Sequence, residues 1–370
     1  MLRPMTSPDP APTRAQALAA LGLGSAAMIV IGLQPLLLGM IVDERIALHA
    51  ALAEMLAMGT GVAACALLLK PASLRAWAGG ASAVCVAAGL GVMVGEPASV
   101  IPLRLLAGLA GGVLVWITVG TIARQARPEP WAAAFFLIQS AGQVFAAALA
   151  ASLGTPGALA LGAGLSALGL VFALLCPPAL EDLGRPSRAP PPKGWIALAA
   201  LLLYFAGNST LWFQMRPLAT VQGLGQLSGA VILVTLAAQM LGAMAAIALA
   251  ERLRRRTLFL IVVVLGLTAL ILLARSPPAP LFIAAFGLAA FAALLLGASL
   301  FGILNAADPS RRAGAISPAA QFLAAAFGPT VGLLGLGPQS GLGAAALLFV
   351  GAWVCAFMSL PHAAASRDSV

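Results

Sequence analysis

Apolar stretches of about twenty residues or more follow one another along most of this chain of 370 residues. A stretch of that length spans the hydrocarbon core of a bilayer as one helix, and a water-soluble domain has no means of burying so many of them. The composition agrees, since 61% of the residues are hydrophobic and 8% are charged, against about 45–50% and about 25% in soluble domains. The stretches also lack the apolar–polar alternation of barrel strands. The sequence therefore predicts an all-α integral membrane protein.

Short polar or proline-containing turns divide the apolar sequence into twelve predicted transmembrane helices. Their bounds are about 16–41, 49–69, 76–95, 98–123, 131–153, 158–176, 195–215, 227–250, 257–274, 280–305, 313–336 and 341–360. The longest polar interruption, 177–194, is rich in proline, which favours an extended backbone. We therefore expect an N-terminal tail (1–15), a six-helix bundle (16–176), a central loop (177–194), a second six-helix bundle (195–360) and a C-terminal tail (361–370).

The two predicted halves match each other at one constant difference in residue number, the repeat offset. This offset carries the segment 70–75 onto the segment 251–256, between the second and third spans of each half, and it carries Pro128 onto Pro309 before each fifth span. Parallel repeats of this kind are typical of transporters whose substrate site lies between the repeats near the middle of the bilayer. The sequence predicts two pseudo-symmetric bundles.

The basic residues predict how the chain lies in the membrane. With both termini placed inside, sixteen of the twenty Lys and Arg residues fall in inner segments, which is the expected bias for cytoplasmic loops. We therefore expect a multi-pass protein of the inner (cytoplasmic) membrane with both termini in the cytoplasm. This bias also accounts for the net charge of +9 without a nucleic-acid partner. The four cysteines have no close spacing, and they indicate neither a disulfide framework nor zinc.

Two short motifs resemble those of the major facilitator superfamily. In the fourth span, Arg104 is followed by Gly108, Gly111 and Gly112, similar to the Arg-x-x-x-Gly motif of that family, and Glu251 to Arg256 resembles its charged inner loop. The segment 70–75 lacks the acid of that loop. The Gly-Pro-x-x-Gly pattern of proton-driven drug antiporters is missing from the fifth span and occurs in the eleventh, at 328–332. The resemblance implies a twelve-helix transporter that works by alternating access and has a cavity between its halves.

Glu54 and Arg104 are the candidate proton-coupling residues. Each lies about two turns inside a predicted span, with apolar residues around it. Ionisable side chains at such a depth are costly, and they usually face a cavity and serve binding or proton transfer. A structural role remains open for both, because Glu54 could pair with Arg45 near the interface and Arg104 could extend to the headgroups.

A second set of candidates consists of uncharged polar and aromatic side chains on apolar helices. Tyr204 and Asn208 are four residues apart and share a helix face, which Trp212 continues. An aromatic and amide surface suits a planar or hydrogen-bonding ligand, although amides also bond neighbouring helices in membranes. The predicted substrate-binding residues are Gln34, Gln139, Gln143, Tyr204, Asn208, Trp212 and Gln239.

Met240 and Met244 are a candidate metal site, because two thioethers on one helix face suit Cu(I). The pair resembles that of copper-importing members of the superfamily. Those members also carry a His-x-x-x-Met pair, whereas the two histidines here, His49 and His362, are not so placed. Methionine also serves as flexible packing.

These observations predict a secondary active transporter of a small solute, coupled to protons, that needs no cofactor and works as a monomer. Three alternatives stay open: a Cu(I) importer, an efflux antiporter for drugs or metabolites, and an integral-membrane enzyme or assembly factor. A membrane enzyme usually needs clustered intramembrane acids or histidines, and both are scarce in this sequence. We therefore expect a protein that is not an enzyme and whose partners are its solute, a coupling ion and the lipid bilayer.

Overall fold

A computed structural model describes residues 12–69, 72–125, 128–180, 189–249, 252–253, 255–309 and 312–359, and this part of the chain is helical with no strands. The helices of the first half are α1 (Arg14–Gly32), α2 (Gln34–Leu37), α3 (Glu44–Leu68), α4 (Leu74–Val94), α5 (Val100–Ala123) and α6 (Pro128–Leu175). Those of the second half are α7 (Pro192–Val221), α8 (Ser228–Leu249), α9 (Arg255–Ala274), α10 (Ala279–Ala307), α11 (Arg312–Ala325), α12 (Phe327–Leu333) and α13 (Pro338–Ser359). Single 3-10 turns occur at Leu38–Met40, Pro97–Ser99 and Gly225–Leu227.

Helix α6 contains two of the predicted spans. Its apolar part has 46 residues, about 69 Å of helix at 1.5 Å per residue, which is more than twice the thickness of a hydrocarbon core. The helical geometry is interrupted at Gly154, where φ is 66° and ψ is 176°. Beyond this point α6 runs antiparallel to the α1–α2 segment, since Gly162 lies against Leu37 of α2 and Phe172 lies against Gly22 of α1.

Eleven helical segments within the described ranges are long and apolar enough to cross a membrane, and one of them, Ile316–Leu333, consists of parts of α11 and α12. Because α6 crosses twice, the protein is a multi-pass membrane protein with twelve crossings, as the sequence predicts.

Two of the predicted spans are broken, and prolines explain both breaks. The first span was expected to be one helix over 16–41, but α1 ends at Gly32 and α2 begins after Leu33, where Pro35 has no N–H to continue the ladder. The eleventh span breaks at Ala326. There Pro329 cannot donate to the carbonyl of Ala325, and the hydroxyl of Ser209 donates to that carbonyl instead. A side chain of α7 therefore stabilises the break between α11 and α12.

The central loop is shorter at its C-terminal end than the predicted 177–194, because α7 begins at Pro192. Proline is favourable in the first turn of a helix, where no N–H partner is needed. At the other end of the loop the carbonyl of Pro178 accepts from the backbone N–H of Leu74, which joins the loop to the start of α4. Some of the predicted features lie outside the described residues. These are the segment 181–188, both tails beyond 12–359, and the charged residues Lys70, Glu251 and Arg254.

The packing of the helices repeats from one half to the other. In the first half α3 packs on α5, and α4 packs on both α5 and α6; in the second half α8 packs on α10, and α9 packs on both α10 and α13. Between the halves, α3 packs on α11 and α12, while α6 packs on α8. Exchanging the two halves converts the contact of α3 with α11 into the contact of α8 with α6, so the two bundles are pseudo-symmetric.

Glycines at equivalent positions allow close helix contact in each bundle. A Cβ on Gly61 of α3 would lie 2.7 Å from the carbonyl oxygen of Leu109 in α5, and Gly242 of α8 faces the carbonyl of Phe291 in α10 in the same way. The repeat offset relates Gly61 to Gly242. Helix pairs joined through small residues at close range are typical of packing in membranes. Each half therefore contains the same tightly packed helix pair.

Candidate functional site

A cavity of about 140 Å³ lies between the two bundles. Its walls come from α1, α3 and α6 on one side and from α7, α8, α10 and α11 on the other. Six aromatic side chains and five amide side chains contribute to the lining. Among the described residues that line it there is no Asp, Glu, Lys, Arg or His. The cavity is thus an uncharged, largely apolar chamber with hydrogen-bonding groups from both halves.

The two halves supply equivalent positions to this cavity. Met28 and Ser209 both line it and are related by the repeat offset, as are Ile31 and Trp212. Two further lining pairs at the same offset are Gly32 with Phe213 and Met55 with Leu236. In the fifth spans, Gln139 and Gln321 both line the cavity and lie one position away from exact equivalence. The same face of each repeat therefore points toward the chamber, while the residues on that face differ.

Six of the seven predicted substrate-binding residues line this one cavity: Gln139, Gln143, Tyr204, Asn208, Trp212 and Gln239. Tyr204 is 3% exposed, and its hydroxyl has no hydrogen-bond partner among the described residues, nor has the side-chain oxygen of Gln139. The amide nitrogen of Gln143, in contrast, donates to the carbonyl of Met28 at 3.0 Å and joins α6 to α1. Buried polar groups without partners are rare in proteins, so Tyr204 and Gln139 are groups that a ligand can satisfy.

The seventh residue, Gln34, does not line the central cavity. It lies inside the first bundle, where its amide nitrogen donates to a carboxylate oxygen of Glu54. The same oxygen accepts from Arg104, which forms a salt bridge with Glu54. Glu54 is 2% exposed and Arg104 is 7% exposed. The two predicted proton-coupling residues therefore form one buried cluster together with Gln34, and their mutual neutralisation makes the burial of both charges tolerable.

A second, smaller cavity of about 40 Å³ lies beside this cluster. Its described lining comes from the first half alone and includes Gln34, Glu54, Cys85, Arg104 and Ser166. The side-chain oxygen of Gln34 has no partner among the described residues. The cavity is large enough for a water molecule, and polar groups of this kind are the ones that buried water satisfies.

The ion pair has no counterpart in the second half. At the repeat offset, Glu54 corresponds to Thr235 and Arg104 to Ala285. The hydroxyl of Thr235 donates to the carbonyl of Val231 within its own helix, and Ala285 is fully buried in the second bundle. The buried Glu54–Arg104 ion pair of the first half thus has no equivalent at the matching positions of the second half.

The predicted metal residues lie apart from both cavities. Met240 and Met244 of α8 do not line the central chamber, and Met244 is 48% exposed on the outside of the bundle. Within the described ranges, no group of three or more His, Cys, Asp or Glu side chains could hold a metal ion. The copper hypothesis gains no support from this placement.

The sequence alone did not identify the aromatic wall of the cavity. Phe136, Phe205, Phe213 and Phe322 line it beside Tyr204 and Trp212. Phenylalanine is equally favourable against lipid, in a helix interface or in a cavity, so its presence in a span carries no positional signal. Gln321 was noticeable as a polar residue in an apolar helix, and its near-equivalence to Gln139 across the repeat was the available indication.

Solved structures resemble the chain over nearly its full length. The human organic anion transporter MFSD10 (TETRAN) is 17% identical, with a TM-score of 0.65, over 93% of this chain and 99% of the other. The proton:xylose symporter XylE is 14% identical, with a TM-score of 0.72, over 94% of each chain. FucP in its outward conformation is 12% identical, with a TM-score of 0.67, over 94% and 99%. No family model and no curated protein matches the sequence.

At these identities the likeness concerns the backbone rather than the site. The similar structures belong to the major facilitator superfamily, and they cover both bundles in the arrangement described above. The chain therefore has the major facilitator fold.

Proposed function

We propose that this protein is a secondary active transporter that carries a small solute across the membrane by alternating access. The observation that carries the proposal is the chamber between the halves, lined at equivalent positions of the two repeats and containing buried polar groups that have no partner among the described residues. Two similar bundles that face one binding site can close on it alternately from either side of the membrane. Polar groups that lack a protein partner supply the attraction for a solute.

The packing supports motion of the halves as separate bodies. Within each half, the close contact of α3 with α5 and of α8 with α10 passes through glycine and backbone atoms, which leaves little room for sliding. Between the halves, contact is concentrated where α3 meets α11 and α12 and where α6 meets α8. Rigid units with limited contact between them are the condition for rocking about a central site.

The Glu54–Arg104 cluster is the proposed site of proton coupling. A proton on Glu54 removes the negative charge that Arg104 and Gln34 both bind. Gln34 begins α2 immediately after the break at Leu33, and Ile31 and Gly32, just before that break, line the central cavity. Protonation at Glu54 thereby changes the bonds of the segment that also forms a wall of the substrate chamber.

Known proteins of the same fold support coupled transport as the activity. Two of the similar structures, XylE and the E. coli protein FucP, are proton symporters for sugars, and MFSD10 transports organic anions. We place this protein in the inner membrane with both termini cytoplasmic, acting as a monomer on a small solute and protons, and without enzymatic activity. The copper-import alternative differs in the solute, and the efflux-antiporter alternative differs also in the direction of transport. A thermal-shift screen against metabolites, drugs and Cu(I) identifies the solute.

The test uses Glu54→Gln, which keeps an acceptor for Arg104 but cannot bind or release a proton. The assays use proteoliposomes and the solute that the screen identifies. We expect the variant to lose uptake driven by a pH gradient into vesicles without internal solute. It should retain the exchange of labelled for unlabelled solute in vesicles loaded with that solute. Glu44→Gln is the matched control, since Glu44 is exposed in the first turn of the same helix. Equal gradient-driven uptake by Glu54→Gln and the parent would contradict proton coupling at Glu54. Product formation without any solute flux would favour a membrane enzyme instead.

A further inference from the structure

The chemistry of the central cavity limits the net charge of its ligand. We propose that the chamber binds uncharged, planar solutes that carry hydrogen-bond donors and acceptors, and that it excludes organic anions and cations. The inference rests on the proposed function, since it takes this chamber to be the substrate site. It depends on three features of the lining: the absence of ionic side chains among its described residues, the amide and hydroxyl groups, and the aromatic faces.

The first feature is electrostatic. Among the described residues that line the cavity none is acidic or basic, and Arg104 and Glu54 face the smaller cavity and neutralise each other. Met55, the neighbour of Glu54 on α3, lines the central chamber instead. The two residues can face different cavities because successive residues of a helix point about 100° apart. A charged solute would lose its hydration in this chamber without gaining a counter-ion, and an unpaired charge in an apolar site is strongly unfavourable.

The second feature is the balance of donors and acceptors. The side chains of Gln139, Asn208, Gln239 and Gln321 each offer both an N–H donor and a carbonyl acceptor, and the Tyr204 hydroxyl can act as either. The Tyr204 hydroxyl and the Gln139 oxygen are buried without partners among the described residues. These groups match amide, lactam, hydroxyl or heterocyclic nitrogen functions on a solute, and none of them requires a net charge on it.

The third feature is shape. Tyr204 packs edge-on against Phe205, with ring centroids 5.5 Å apart, and it also contacts Phe349 behind it at 5.7 Å. These contacts hold the Tyr204 ring in a fixed orientation at the cavity wall. Trp212 and Phe213 follow on the same helix, and Phe136 and Phe322 contribute from α6 and α11. Aromatic walls favour ligands that present a flat face for stacking.

Three small probes of nearly the same shape test the proposal: benzamide, which is neutral, benzoate, which is an anion, and benzamidinium, which is a cation. Binding to the purified full-length protein in detergent is followed by tryptophan fluorescence and by thermal shift at constant ionic strength. We expect benzamide to bind at least about tenfold more tightly than either ion. Tyr204→Phe should weaken the binding of benzamide by roughly 3- to 10-fold, as expected for one lost hydrogen bond. Trp77→Phe, at an exposed tryptophan, is the control for the fluorescence signal and should leave the affinities for the three probes unchanged.

A charge placed in the chamber should reverse this preference. Asn208→Asp puts a carboxylate at a lining position with little change in shape, and we expect it to bind benzamidinium more tightly than benzamide. Gln239→Glu provides a second, independent position on α8 if the first variant does not fold, and Gln226→Glu, at an exposed turn outside the cavity, is the matched control. Only the cavity variants should change the ranking of the three probes.

Several results would overturn the inference: equal or tighter binding of either ion by the parent, no binding of any of the three probes, or folded cavity variants with an unchanged ranking. Because binding is measured without a membrane, the result is independent of transport. Neutral solutes that bind but produce no flux would defeat the proposed function and leave the ligand class standing. Flux of a charged solute would support the proposed function and contradict the inferred ligand class.

Discussion

Removing one member of the Glu54–Arg104 pair should destabilise the protein more than removing both. The two side chains are 2% and 7% exposed, and Arg104 donates to the same Glu54 oxygen that Gln34 also binds. Loss of one partner from such a buried pair costs about 3–5 kcal/mol, whereas replacement of both by apolar residues is often close to neutral. We therefore expect Glu54→Leu to be strongly destabilising. The double variant Glu54→Leu/Arg104→Leu should recover most of the lost stability.

The two single variants should also differ from each other. In Glu54→Leu the guanidinium of Arg104 stays charged, because arginine does not deprotonate in proteins. In Arg104→Leu the remaining carboxyl can take up a proton and become neutral, which limits its cost of burial. The expected order of stability is the parent and the double variant first, then Arg104→Leu, and Glu54→Leu last.

Thermal unfolding in detergent micelles measures these differences. A loss of 1 kcal/mol lowers the Tm of a unit of 150–250 residues by about 2–4 °C, so Glu54→Leu should lower it by at least about 6 °C. Glu96→Leu and Arg45→Leu, at exposed positions, are the controls and should stay within about 0.5 kcal/mol of the parent. If the losses of the two single variants simply add in the double variant, the two charges do not stabilise each other and the reasoning is refuted.

Two glycine positions give further predictions with controls in the same helices. Gly154→Ala should cost about 1–3 kcal/mol, because φ is 66° and ψ is 176° there, a region that other residues avoid, whereas Gly164→Ala meets open space in regular helix and should be neutral or stabilising. Gly112→Ala should cost about 1–3 kcal/mol, since its Cβ would lie 2.7 Å from the carbonyl oxygen of Met58; Gly120→Ala, which makes only ordinary contacts, should not. Thermal unfolding measures both pairs, and equal stability within either pair would contradict the corresponding geometry.

The number and order of the helices could be predicted from the sequence because hydropathy alone decides which segments cross a bilayer. The reversal at Gly154 was also accessible, since the Gly-Thr-Pro-Gly stretch at 154–157 favours a turn. The breaks at Leu33 and Ala326 were not predicted. A proline inside a membrane helix need not break it when neighbouring groups satisfy the freed carbonyl, and the role of Ser209 in doing so depends on tertiary contact.

The candidate site was predictable to the extent that polarity is conspicuous in an apolar helix. This signal indicated Tyr204, Asn208 and Gln139, and it indicated Gln34 equally strongly. Gln34 follows a break in its helix, so the 3.6-residue period cannot relate its direction to that of Ile31 or Gly32. Its bond to Glu54 therefore emerged only from the three-dimensional arrangement.

The central claim, that two rigid halves open alternately on either side of the central cavity, is tested most directly by distances between spin labels at opposite ends of the molecule. One pair of labels, at Glu96 and Gln226, joins the halves at the end where α3 begins, and a second pair, at Leu68 and Arg252, joins them at the end where α3 finishes; all four residues are exposed. The labels are placed in a background without the four native cysteines and measured by pulsed electron resonance in lipid nanodiscs, at acidic and alkaline pH and with and without benzamide. We predict two populations in which one distance shortens as the other lengthens. Two distances that stay fixed under every condition, or that change together, would contradict alternating access.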